Sequence, residues 1–349
     1  MAFHPKVRHH NVPVGFTEGD SGISRAMAKR LSDAYKFAAD SFQGHNGSFW
    51  AENDERNKEF ITALRSGDID AISAMAKDPG AHSLFWGVDS LAKGYRPKPG
   101  STRRKLAPAI SLLGDSLLRL GEATGVEPLW YPESDLERRA RINVDAMLDK
   151  IARTTGEFDF PNPFPDEFGI RTSRGIASYR CFQAIYQAWR VAEVTRAIGD
   201  QRVVEIGPGI GRTAYYAAKF GVTDYTTVDL PLGNISQAIF LSRAVGEDGI
   251  TLPGEPARKG CIRIETPTWF ATTDEKFDVA LNVDSLTEMS QTNAGAYADK
   301  IKSAARTFIS INHEVNKFKV AELPTLSNVP NERFPYWMRK GYAEERYHF

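Results

Sequence analysis

Glu205-Ile206-Gly207-Pro208-Gly209-Ile210-Gly211 decides the fold. The stretch closes a short apolar run, Arg202 to Ile206, and opens a helical pattern from Thr213 to Phe220 that stops at Gly221. Such a run fits a strand covered on both faces, and the glycines after it let the backbone turn sharply. Downstream the alternation repeats. Strands are expected at Tyr225 to Leu230, Ile262 to Glu265, Val279 to Val283 and Phe308 to Asn312, with helices at Ile235 to Val245 and Ala294 to Arg306. Upstream, Tyr179 to Ile198 reads as a helix closed by Gly199. Alternating strands and helices make a mainly parallel sheet, and ligands of such sheets lie at the carboxyl ends of the strands. The expected fold class is therefore α/β and Rossmann-like.

The glycine spacing narrows the ligand. A dinucleotide fingerprint requires G-x-G-x-x-G/A. Counting from Gly207, the last position is Arg212, and the pattern fails. Instead Gly207, Gly209 and Gly211 alternate behind an acid, Glu205, at the strand end. That arrangement suits S-adenosylmethionine (SAM), which has no pyrophosphate to cradle. Asp229 ends the second strand, 18 residues beyond Gly211, where a carboxylate can accept both ribose hydroxyls. Nicotinamide enzymes share that role, so Asp229 speaks for a nucleoside and not for methyl transfer. After the third strand, Trp269 reads equally as an adenine-facing residue or as core.

The first part of the chain has a different character. Residues 1–20, with His9-His10, read as a flexible arm, 21–158 as an all-helical domain and 159–349 as the Rossmann-like domain. Met27, Leu31, Tyr35, Ala38 and Phe42 recur at helical spacing, as do Leu106, Ile110, Leu113, Leu117 and Leu120. Ser134 and Glu137 form a capping-box pattern for a helix running to about Thr155 and stopping at Gly156. These stripes need a packing partner, either core or the face of a homodimer formed through the helical domain. The proline-rich run from Phe160 to Pro165 excludes a helix and marks the domain boundary.

Lys plus Arg and Asp plus Glu both number 44, so the formal net charge is zero. Proteins that bind the nucleic-acid backbone usually carry a basic excess, so a nucleic-acid partner is not expected. Cys181 and Cys261 have neither metal-type spacing nor a disulfide framework. With no signal-peptide pattern and no apolar run near the ~18 residues of a membrane span, a soluble cytoplasmic protein with a small polar acceptor is expected.

The region from about Pro161 onward resembles a bacterial family assigned as sugar O-methyltransferases. The resemblance rests on Thr172 to Gly175, Tyr179-Arg180, Gln183 to Trp189, the Glu205 to Thr213 loop and Asp229-Leu230-Pro231. It continues through Asn282 to Met289, Ser310 to Glu314 and Tyr336 to Tyr342. It implies a class I SAM-dependent methyltransferase fold and a carbohydrate hydroxyl as acceptor. One departure is the chain's short end: only ~36 residues follow His313, so Tyr336 to Phe349 is expected to form a compact hairpin turning at Lys340-Gly341.

Methyl transfer to a hydroxyl needs a positioned acceptor and a base. His313 follows the Phe308 to Asn312 strand and is expected to be that base, since a free imidazole titrates near pH 6.5. Asp284 follows the Val279 to Val283 strand, and Glu288 lies one helical turn on, so either is placed to orient the hydroxyl or the imidazole. Two carboxylates are a weak metal signal; a divalent ion is compatible with them but not predicted. Arg171, Arg174 and Arg180 crowd the segment before the first strand. Arg180 is expected to hold an anion, the methionine carboxylate of SAM or an acceptor phosphate. Asn282, at its strand end, is an expected cofactor contact. Tyr179 and Tyr186 share a helical face, lining a pocket or simply packing. Two other readings stay open: a small-molecule N-methyltransferase, where loss of His313 matters less, and a non-catalytic SAM-binding module.

Overall fold

A computed structural model describes residues 12–42, 49–92, 94, 96–129, 142–199 and 202–349. The chain begins with β1 (Val14–Glu18) and continues through α1 (Arg25–Asp40), α2 (Phe49–Arg56), α3 (Lys58–Ser66), α4 (Ile69–Lys77), α5 (Arg103–Ala123) and α6 (Val144–Thr155). A hairpin, β2 (Pro165–Thr172) and β3 (Gly175–Ala177), leads into α7 (Tyr179–Ile198). Then come β4 (Arg202–Ile206), α8 (Arg212–Lys219), β5 (Asp224–Val228), α9 (Pro231–Ala244), β6 (Ile250–Thr251), β7 (Ile262–Glu265) and α10 (Pro267–Thr272). The remainder is β8 (Phe277–Val283), α11 (Gln291–Ala304), β9 (Ala305–His313), β10 (Asn331–Pro335) and β11 (Tyr342–His348).

The main sheet has the order β10-β11-β9-β8-β4-β5-β7-β6. Strands from β9 to β6 in that order pair in parallel, whereas β11 runs antiparallel to both β9 and β10. This is the Rossmann-like arrangement, with the inverted strand supplied by a short C-terminal hairpin. Gly341, at φ +85, closes that hairpin beside Lys340. The order reverses at β4, flanked by β5 and β8, and the crevice above such a switch point is where ligands bind.

The expected stripes are buried. In α1, capped by the Ser24 side chain, Met27, Leu31, Tyr35 and Ala38 face inward; in α5, Leu106, Ile110, Leu113, Leu117 and Leu120 do. One apolar cluster takes in residues from both sides of residue 158, including Leu31, Phe85, Leu117, Phe164, Phe182 and Phe240. The helical part is thus packed directly on the sheet domain.

Two local expectations are corrected. The arm read over 1–20 is, in its described part, strand β1, which pairs with β2 in the register Val14↔Ile170. The segment after the prolines forms the β2–β3 hairpin, closed by Thr172↔Gly175. The β1–β2 pairing is not visible locally, because the two strands meet across ~150 residues of chain. The capping pattern at Ser134 and Glu137 falls outside the described residues, as does His9-His10; α6 itself is capped by Asn143, whose side chain accepts from Ala146 N–H. Among the described residues no helix is long and apolar enough to cross a membrane.

Candidate active site

A cavity of about 560 Å³ opens over the carboxyl ends of β4, β5 and β8. That lies within the ~300–1,000 Å³ usual for small-molecule sites. Its floor is the Glu205 to Ile210 loop, with Val228 to Leu230, Pro267, Phe270 and Ala271 beside it. Phe42, Trp50, Asn53, Asp54, Val88 and Asp89, from the helical part, form a facing wall. Arg180, Gln183, Asp284, Glu288 and Arg339 complete the lining.

The glycines of the loop serve different ends. Gly207 (φ +67) lies against Ser285, whose Oγ would stand 2.2 Å from an added Cβ. Gly209 (φ +63) would direct a Cβ toward Val88 across the cavity, at 3.6 Å. Gly211 does not line the cavity; it starts α8 and lies against Leu241 of α9. Of the three, only Gly209 lines the cavity without a close clash for an added Cβ, and all three have backbone angles that side chains disfavour.

Acidic groups sit under this loop. Glu205 is buried; burial pushes its carboxyl up to about 8, partly offset by the hydroxyl of Tyr225, which donates to Oε2 at 2.9 Å. Asp229 accepts from the Leu230 N–H at 2.8 Å and from Gln237 Nε2 at 3.0 Å, yet desolvation still pushes it up to about 7. Both carboxyls are thus short of positive partners, which is the condition of a site shaped for a donor-rich or cationic ligand. Arg180 complements them. Its Nη1 donates to Gln183 Oε1 at 3.3 Å, and its buried Nε has no hydrogen-bond partner.

Asp284 and Glu288 line the same cavity, beyond the end of β8. Asp284 has φ +68, rare outside glycine but tolerated by aspartate. Its Oδ2 accepts from Arg339 Nη1 at 2.8 Å and from the Tyr342 hydroxyl at 2.9 Å. Glu288 is open to the cavity yet ringed by protein; partial burial, reinforced by Asp284, pushes its carboxyl up to about 7, while Arg339 and Arg180 act to lower it.

Of the residues expected from sequence, Glu205, Gly207, Gly209, Asp229, Arg180, Asp284 and Glu288 come together here. Asn282 does not line the cavity. It is wholly buried, donating to Ile206 O at 2.9 Å and accepting from Asn312 Nδ2 at 2.9 Å, so it braces the glycine loop from beneath. His313 does not line it either. The β9–β11 register sets His313 opposite Tyr342, and the imidazole lies edge-on to that ring at 4.8 Å, its Nδ1 accepting from Val315 N–H. Trp269 packs on Phe277 under the Arg263 guanidinium; the neighbouring Phe270 lines the cavity instead, stacked on Tyr297. Tyr186 packs, donating to the buried Glu344. Among the described residues no group of three or more His, Cys, Asp or Glu side chains is arranged to hold a metal.

Sequence reasoning missed Gln183 and Gln187, although Arg180, Gln183 and Gln187 form a polar stripe at helical spacing in the first half of α7. It also missed Val88, Asp89 and Arg339 as lining residues, for which no local signal exists.

No family model and no curated protein matches the chain. Among solved structures it is similar to magnesium protoporphyrin IX methyltransferase from Synechocystis PCC 6803 with bound SAM, at 16% identity over 49% of this chain and 81% of that one, with a TM-score of 0.36. It is also similar to a protein of Nostoc punctiforme PCC 73102 assigned as an O-methyltransferase, at 12% identity over 93% and 95% of the two chains, with a TM-score of 0.38.

Proposed function

We propose that the protein is a SAM-dependent enzyme that methylates a hydroxyl of a small, sugar-like acceptor, with Glu288 as the base. The observation that carries this is a single cavity whose lining joins the Glu205 to Ile210 loop and Asp229 to Asp284 and Glu288. Asp229 suits the ribose hydroxyls, Gly209 leaves space at the loop, and the unpartnered Nε of Arg180 suits a carboxylate. Glu205 suits a cationic group, whose approach would draw its carboxyl back down. Bound SAM supplies a methyl group activated by its sulfonium.

The protein's own part is to place the acceptor and take its proton. Glu288 faces the cavity with a carboxyl near neutrality, where proton uptake and availability are balanced. The proton of the acceptor hydroxyl passes to Glu288 as the oxygen takes up the methyl group. Asp284 lines the same space; its Oδ2 is engaged and its Oδ1 accepts from no described residue. The carboxylates share the cavity lining with Asn53, Trp50 and Phe42, a combination that fits a polyol, which offers donors at its edge and C–H faces to aromatic rings. The role expected of His313 passes to Glu288 in this reading.

The test offers SAM labelled on its methyl group and a panel of free and nucleotide-linked sugars to wild type, Glu288→Gln and His313→Ala. Labelled sugar from the wild type is expected, with a 10²–10⁴-fold loss in Glu288→Gln and little loss in His313→Ala. Failure of S-adenosylhomocysteine to bind the wild type by calorimetry defeats the cofactor reading. Equal turnover in Glu288→Gln defeats the base.

A further inference from the structure

The turn between β10 and β11 reaches into the cavity wall. Arg339 lies in that turn, and Tyr342 is the first residue of β11. Both donate to the same oxygen of Asp284, Oδ2, and the Arg339 guanidinium lies over the Tyr342 ring at 4.0 Å. The turn is closed by Tyr336 N–H to Tyr342 O at 3.0 Å and tied to the residue just after β9 by Glu314 N–H to Gly341 O at 2.9 Å. Asp284 is itself tied to β9 through its N–H and Ile311 O, at 2.8 Å.

Two donors on one carboxylate oxygen have a mechanical consequence. Rotation of the carboxylate about its last torsion would exchange the oxygens and break an ion pair together with a phenol hydrogen bond. The free oxygen is thereby kept in one place. The backbone needs the same support. Asp284 and Asp166 are the two non-glycine residues at positive φ among those described, and a strained angle persists only where its surroundings over-determine it.

We propose that Arg339 and Tyr342 are positioning residues. Together they hold Asp284 in its left-handed conformation, with Oδ2 engaged and Oδ1 turned to the cavity for an acceptor hydroxyl. This rests on the reading of the cavity as a methyl-transfer site. His313 enters the arrangement one step back, as the edge-on support of the Tyr342 ring. A C-terminal hairpin of ordinary appearance is thus part of the acceptor site, and the acceptor it favours is one that donates a hydrogen bond beside the reacting hydroxyl. A vicinal diol has that chemistry.

The test begins with crystal structures of the wild type and of the Arg339→Met/Tyr342→Phe double variant, each grown with S-adenosylhomocysteine. Asp284 is expected at positive φ in the wild type and displaced, in φ or in carboxylate rotation, in the double variant. An Asp284 unchanged in the double variant overturns the proposal. Tyr342→Phe, which keeps the ring, guards against a double variant that fails to fold: its Asp284 must lose the second donor and gain a mixed orientation, and a single unchanged orientation counts against the proposal. The kinetic arm uses whichever panel sugar the wild type methylates, preferably with its monodeoxy analogue. Arg339→Met should raise KM for the sugar and lower kcat about tenfold while S-adenosylhomocysteine affinity stays within twofold, and Arg339→Lys should recover part of the loss. A variant that weakens product-nucleoside binding and sugar turnover alike has a merely structural role. A wild type that binds no S-adenosylhomocysteine defeats the functional reading, and the Asp284 geometry in nucleoside-free crystals then still decides the positioning claim.

Discussion

Arg212 and Asp89 are joined, Nε to Oδ2 at 3.0 Å, across 123 residues of chain, and both are buried. Arg212 follows directly on the glycine loop, while Asp89 lines the facing wall of the cavity. The same guanidinium reaches Glu167 Oε1 at 2.7 Å. The helical part, the β2–β3 hairpin and the glycine loop therefore meet at one ion-paired point.

Arg212→Met should test how far the fold depends on that joint. It strands two buried carboxylates without their counter-charge, a change that typically costs about 3–5 kcal/mol. Urea denaturation is the measurement, and a variant within about 1 kcal/mol of the wild type would show that Asp89 and Glu167 find other partners.

Two substitutions in the glycine loop should separate folding from binding. Gly207→Ala drives a Cβ into Ser285 and should lower stability by roughly 1–3 kcal/mol. Gly209→Val meets Val88 across the cavity and should reduce S-adenosylhomocysteine affinity more than tenfold, with a smaller change in melting temperature. Calorimetry and thermal melts on both variants give the comparison; equal losses of affinity would mean that the loop acts as one rigid unit.

Asp229→Ala removes the carboxylate assigned to the ribose. Hydrogen bonds to a charged group contribute about 1.5–3 kcal/mol, so affinity for S-adenosylhomocysteine should fall roughly 10- to 100-fold. Adenine alone lacks the ribose hydroxyls, and its binding should change far less. A parallel drop for adenine would point to collapse of the pocket.

The pH dependence of transfer should follow Glu288. The groups facing it are Asp284 from its own loop, Arg339 from the β10–β11 turn and Arg180 from α7. Its base form is required, so the rate should rise through about pH 7 and level off above. Asp284→Asn removes a negative neighbour and should move that limb to lower pH; Arg339→Met removes a positive one and should move it to higher pH. Shifts in the same direction in both variants would take the titration away from Glu288.

Glu205 should leave a mark on stability. Its carboxyl rises on folding from an ordinary 4.5 to about 8, so between those values the folded state holds the proton more tightly than the unfolded one. Without ligand, stability from this group should fall as pH rises through that window and be greatest at its acid end. Glu205→Gln keeps an oxygen for the Tyr225 hydroxyl and carries no charge. It should melt higher than the wild type at pH 8 and nearly equal to it at pH 5; a lower melting temperature at pH 8 would show the carboxylate to be ionised and paired.

Sequence by itself determined β4, β5, β7, β8 and β9 with the helices α8, α9 and α11, though not the short β6 and α10, together with the glycine loop and the acid at the end of β5. These are local matters: hydrophobic periodicity, glycine at turns and an acidic residue at a strand end are written in contiguous residues. The limits of α7, including Gly199, were legible for the same reason. Tertiary structure decided the rest. The β1–β2 pairing joins segments ~150 residues apart, so no local pattern announces it. Asn282 and His313 both stand at strand ends, as expected, but strand-end position does not say where a side chain points. Pairing with β8's neighbours turned Asn282 inward, and the antiparallel register of β11 placed Tyr342 between His313 and Asp284. The near-neutral carboxyl of Glu288 likewise arises only in the assembled site, because the desolvation and the neighbouring Asp284 charge that raise it, and the Arg339 and Arg180 charges that hold it down, belong to the folded arrangement and not to any stretch of chain.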